Sequence, residues 1–69
     1  MSREEIKKIV DEAIGIDSSF VEATLEKNEY YIYTEVWTMP IESFNQIKSK
    51  VKVTAISVDG GKIMLTAKV

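Results

Sequence analysis

Apolar residues recur along this chain with two different periods. Ile6, Ile9, Val10, Ala13 and Ile14 follow one another at three- and four-residue intervals, the spacing that lines one side of an α-helix. Both ends of that stripe are marked. Ser2-Arg3-Glu4-Glu5 has the form of a capping box, in which serine and glutamate satisfy each other's free amides. Gly15 stands where a left-handed terminator is needed. Glu4–Lys8 and Lys8–Glu12 add favourable i,i+4 spacings on the outer side.

The period then changes. In Ser19–Glu26, Val21, Ala23 and Leu25 alternate with Glu22, Thr24 and Glu26, which predicts a strand with one apolar face. The segment also fits a second capping box, Ser19 to Glu22, with Phe20, Val21, Thr24 and Leu25 on a helical side. The strand is preferred, because Phe, Val and Thr are mediocre helix formers. Lys27-Asn28-Glu29 is a polar break suited to a hairpin turn. The second strand is Tyr30–Trp37, "YYIYTEVW". Pairing Leu25 with Ile32 would set Ala23 opposite Thr34, Val21 opposite Val36 and Phe20 opposite Trp37. Tyr30, Ile32, Thr34 and Val36 then share one face, and Tyr31, Tyr33, Glu35 and Trp37 the other.

Met39-Pro40 opens a second, shorter helix, since proline is tolerated in a first helical turn. Ile41, Phe44 and Ile47 mark its apolar side. Lys48 and Lys50 suit the negative pole at its end. "VKVTAISV" and "KIMLTAKV" flank Asp59-Gly60-Gly61, a strong hairpin signal. A three-residue loop with Gly61 left-handed puts Val51, Val53, Ala55, Ile63, Leu65, Ala67 and Val69 on one face. It is preferred, because both strands then alternate cleanly. A two-residue loop would group Ile56 and Val58 with Ile63 and Leu65.

The order is therefore αββαββ in a single α+β domain over residues 1–69. A two-layer sandwich follows, with a four-stranded antiparallel sheet and both helices on one face. The order resembles a circularly permuted ferredoxin-like unit, with its first strand moved to the C-terminus. That resemblance of topology implies a sheet order of 1-2-4-3, with "YYIYTEVW" and "KIMLTAKV" central. Hairpin-beside-hairpin orders are the alternative.

Composition narrows the chemistry. The chain has no cysteine and no histidine, so disulfides and thiolate or imidazole metal sites are ruled out. No apolar run approaches the roughly 20 residues of a membrane span. The N-terminal residues lack the basic region and apolar core of a secretory signal. A cytoplasmic domain with no membrane contact is the expectation. The abundance of Lys and Glu points to a heat-adapted source. Net charge is −2, unevenly spread. Residues 1–37 carry four basic and nine acidic groups (−5), and residues 38–69 carry five lysines and two acids (+3).

The candidate functional surface is the sheet face that no helix is left to cover. Phe20, Tyr31, Tyr33, Trp37, Ile56, Val58 and Met64 are assigned to it. An uncovered antiparallel face is ordinarily polar, and an apolar one marks an interface or a groove. The leading expectation is a non-catalytic module that self-associates, most simply as a homodimer, or meets another protein through this face. Edge-strand addition by a protein or peptide is a variant of it. The alternative is single-stranded nucleic-acid binding on the same rings, with Lys52, Lys62 and Lys68 meeting phosphates or an acidic partner. The negative net charge opposes it. A very small enzyme or ligand-binding domain is the third class, with Glu22 and Glu35 as a candidate carboxylate pair. The usual acid, base and nucleophile constellations are missing, and no cofactor or metal is expected.

Overall fold

Helix α1, Arg3–Ile14, begins at the capping box. The Glu5 amide donates to Ser2 Oγ at 3.2 Å, and the Ser2 amide donates to Glu5 Oε1 at 3.0 Å. The helix ends at Gly15, whose φ of 76° is left-handed and whose amide donates to the Asp11 carbonyl at 2.8 Å. The computed structural model describes residues 1–24 and 28–68. The expectations for Leu25, Glu26, Lys27 and Val69 lie outside them.

Strands β1 (Phe20–Ala23), β2 (Glu29–Tyr33), β3 (Val53–Asp59) and β4 (Lys62–Lys68) form one antiparallel sheet in the order β1-β2-β4-β3. Helix α2, Ile41–Lys48, lies between β2 and β3 in the chain. The α+β class, the order of elements and the sheet order all match the sequence reading. The core is Ile6 and Val10 of α1, Ile47 of α2, Val51, and Val21, Ile32, Leu65 and Ala67 of the sheet. Ile9, Ala13, Tyr30, Met39 and Phe44 pack around it.

Four local expectations are corrected. The first is the β1–β2 register. Val21 pairs with Ile32 and Phe20 with Tyr33, four residues away from the expected alignment. Thr24 closes the hairpin by exchanging bonds with Glu29. Its amide and hydroxyl both donate to the Glu29 carbonyl, at 2.8 and 3.1 Å, and its hydroxyl accepts from the Glu29 amide at 3.1 Å. Asn28 takes the left-handed φ of 57° within that connection. A slip of four is even, so the paired residues Phe20–Ala23 and Tyr30–Tyr33 keep their predicted faces.

The second correction is the end of β2. The strand stops at Tyr33 rather than Trp37. Glu35 adopts a left-handed φ of 61°, an uncommon state for a residue with a Cβ. The Ile63 carbonyl accepts from the Thr34 amide at 3.2 Å, and the Ile63 amide donates to the Val36 carbonyl at 2.8 Å. Ile63 thus spans three residues of the facing chain, and Glu35 is squeezed outward. Thr34 is fully buried, and its hydroxyl donates to the Ile63 carbonyl at 2.8 Å.

The third is the β3–β4 hairpin. Asp59 pairs with Lys62, so the turn has two residues. Gly60 and Gly61, at φ 61° and 79°, both take the positive angles that such a turn requires. A bulge between Val53 and Ala55 then restores the other phase. Val53 pairs with Ala67, as the three-residue loop predicted, whereas Ile56 and Val58 pair with Leu65 and Ile63, as the two-residue loop predicted. Ala55, expected inside, lies opposite Thr66 and is exposed.

The fourth is the start of α2. Pro40 precedes the helix as its N-cap, and Ile41 is 65% exposed instead of lining the core.

Asp11 joins α1 to β1. Its carboxylate accepts from the Ser19 amide at 3.0 Å, the Ser19 hydroxyl at 2.5 Å and Lys7 Nζ at 2.6 Å. Ser19 is itself buried. Burial pushes the Asp11 carboxyl up, but the bonds from Lys7 and Ser19 outweigh it and hold the group below its ordinary value. A depressed folded-state pKa contributes stability that is complete above the unfolded value of about 4 and is lost as pH falls through the folded one. Asp11→Asn is therefore expected to cost about 1–2 kcal/mol at pH 7. The deficit should shrink as pH falls below about 4, which urea unfolding across pH measures.

Candidate functional site

The uncovered face is built in rows by the strand pairing. Side chains directly opposite on neighbouring strands share a face. One row runs Phe20, Tyr33, Met64, Ser57 from β1 to β3, and the next runs Glu22, Tyr31, Thr66, Ala55. Glu29 faces Lys68 beyond them at one end, and Asp59 faces Lys62 at the other. Phe20 and Tyr33 stack with ring centroids 4.7 Å apart and planes 16° from parallel. Phe20 is 45% exposed, and Tyr31, Tyr33 and Met64 are half-buried. Four of the seven predicted interface residues thus stand together on this face.

The other three do not. Trp37 lies beyond the end of β2, where the left-handed turn at Glu35 breaks the two-residue period, and it is 81% exposed. Ile56 and Val58 are set on the helix-bearing side by the two-residue turn, which pairs them with Leu65 and Ile63. They remain 56% and 72% exposed there, because neither belongs to the core the helices cover.

The three lysines are placed separately. Lys62 donates to Glu35 Oε2 at 2.7 Å. The Lys68 amide bonds the Lys52 carbonyl at 2.9 Å, which sets those two lysines side by side in the chain pairing. Both are exposed. Glu22 and Glu35, the candidate carboxylate pair, are not opposite each other: Glu22 faces Tyr31, and Glu35 is occupied by Lys62.

Among the described residues of the face, Tyr33 has a shifted acidity. Partial burial, then the charges of Glu22 and Asp59, raise its phenol above the ordinary value. It remains a neutral hydroxyl at neutral pH, able to donate or accept a hydrogen bond. Among the described residues no group of three or more acidic, histidine or cysteine side chains is placed to hold a metal. Two surface depressions lie along α1. One, of about 210 Å³, is lined by Arg3, Glu4, Lys7, Phe20 and Val21. Another, of about 340 Å³, is lined by Glu4, Lys7, Lys8, Asp11, Glu12 and Asp17. Lys7 lines both and bonds Asp11 at 2.6 Å and Asp17 at 2.7 Å. No described helix is long and apolar enough to cross a membrane.

Comparison with protein-family models, with curated proteins and with solved structures found no match to this chain.

The alternation of "YYIYTEVW" placed Tyr31 and Tyr33 on the uncovered face, but it set Phe20 opposite Trp37 rather than Tyr33. What it missed is the bulge at Thr54, and β-branched Thr in an alternating strand gives no signal for one. The placement makes a contrast testable. Trp37→Ala should change stability by less than about 0.5 kcal/mol, as for an exposed side chain without partners. Phe20→Ala should cost about 1 kcal/mol or more, since it removes a stacked pair. Thermal unfolding of the two variants measures both.

Proposed function

We propose that this protein is a non-catalytic self-associating module, and that its uncovered sheet face meets the same face of a second copy. The observation that carries this reading is the row Phe20–Tyr33–Met64, with Tyr31 beside it, on a face without a helix. Tyrosine gives a large contact area with a polar tip, which is why it anchors interfaces. The rim supports a like partner. Glu22, Glu29 and Asp59 stand around the row with Lys62 and Lys68, so neither sign dominates and a second copy can complement the first.

Nucleic acid is the weaker reading on the same residues. Lys62 is already bonded to Glu35, and Lys68 faces Glu29, which leaves few cations for phosphates.

The molecule is small, with extents of 30 × 24 × 19 Å, so a contact over one sheet face is at most of the order of the roughly 800 Å² per partner of a standard interface. Association is expected to be weak, with Kd in the range of about 1–100 µM. Light scattering across that range should give an average mass rising above the 7.8 kDa of one chain. Tyr31→Glu puts a charge in the middle of the face and should lower that mass while leaving the far-ultraviolet circular dichroism unchanged. A wild-type mass fixed at one chain up to about 100 µM contradicts the proposal, as does a Tyr31→Glu variant that associates like wild type.

A further inference from the structure

The two edges of the sheet are built differently. Edge strand β1 has four residues and carries Glu22 in its middle. Edge strand β3 has seven residues, Val53–Asp59. Every one from Thr54 to Asp59 is exposed, and the single charge among them is Asp59 at the end. Native edges are ordinarily shortened, charged, bulged or covered against strand addition. β1 has two of these protections. β3 has a bulge at its start, next to Val53, and an uncharged run after it.

That run has a centre. Regular pairing with β4 extends from Ala55 to Asp59, and the middle of those five residues is Ser57. We infer that β3 pairs antiparallel with β3 of a second copy about a two-fold axis at Ser57, joining two four-stranded sheets into one of eight strands. In this alignment Ser57 meets Ser57 of the second copy, Ala55 meets Asp59, and Ile56 meets Val58. No charge faces a like charge. Ile56 and Val58 lie on the helix-bearing side but outside the core, at 56% and 72% exposure. The pairing gathers both from each copy into one apolar cluster of four, and main-chain hydrogen bonds along the edge supply the rest. This contact is separate from the face contact proposed above, and it places two aromatic rows on one continuous sheet.

Ser57 is exposed, points to the uncovered face and makes no side-chain hydrogen bond among the described residues, so its replacement leaves the fold intact. Ser57→Lys and Ser57→Glu should each lose the edge contact, because like charges then oppose across the axis. Each variant alone should show a lower light-scattering mass than wild type at equal concentration. An equimolar mixture of the two should regain the wild-type mass, since lysine then meets glutamate. Because Ser57 also ends the Phe20–Tyr33–Met64 row, Ile56→Lys on the helix-bearing side is the variant that reaches the edge cluster without altering the aromatic face, and it too should lower the mass. The pairing is overturned by a wild-type monomer, by a Ser57→Lys or Ile56→Lys variant that keeps the wild-type mass, or by a mixture that stays at the mass of its separate components. Ser57→Lys at wild-type mass together with a lowered Tyr31→Glu mass removes the edge contact and leaves the face contact standing. The reverse pattern, with the mixture rescued, removes the face contact and leaves the edge contact.

Discussion

Two helices of twelve and eight residues have to cover a sheet of four strands, and everything else in this molecule follows from the shortfall. They bury the middle of one sheet face and no more. Ile32 and Leu65, paired on the two central strands, are fully buried beneath Ile6, Val10 and Ile47. Away from that centre the same face is open, and Ile56 and Val58 at the far end of the hairpin stand in water. No described helix covers the opposite face. A chain of 69 residues buries only about 60% of its unfolded surface, so this protein has little core with which to offset exposed apolar groups.

Local devices compensate at the junctions. Asp11 ties α1 to the start of β1 through Ser19 and Lys7. Thr34 is buried without penalty because its hydroxyl finds the Ile63 carbonyl, where an unpaired hydroxyl would cost on the order of 1–3 kcal/mol. Glu35 accepts an unfavourable backbone angle, and its carboxylate is met by Lys62 at 2.7 Å. That turn redirects the chain out of the sheet and toward α2. It also decides which aromatics stay on the face and which leave it.

Much of this was legible in the residues. The capping box and Gly15 delimited α1 because each has a side-chain or backbone reason to be there. The sheet order came from the resemblance of αββαββ to a permuted ferredoxin-like unit, with hairpin-beside-hairpin orders as the alternative. The faces of β1 and β2 were readable from alternation alone and survived a register error of four residues, because an even slip preserves them. The misplacements of Trp37 and of the β3 side chains share a cause. Two side-chain periods were extended past a backbone irregularity that no residue type announced. Glu35 is not a residue enriched at positive φ, so Trp37 was carried along with Tyr31 and Tyr33. The bulge at Thr54 splits β3 into two phases, and a single-phase reading could match only one of them. The hairpin signal at Asp59-Gly60-Gly61 was sound, but its loop length was chosen to keep β3 in one phase.

The central claim is that the aromatic face is a contact surface between copies. Backbone amide shifts of uniformly labelled protein, recorded on dilution from about 500 to 10 µM, test it at residue resolution. The account predicts concentration-dependent shifts at Phe20, Tyr31, Tyr33, Met64 and Thr66, with Ile6, Val10 and the rest of α1 unmoved. Shifts that are absent on those five residues across the whole range, or that fall on α1 instead, would contradict it.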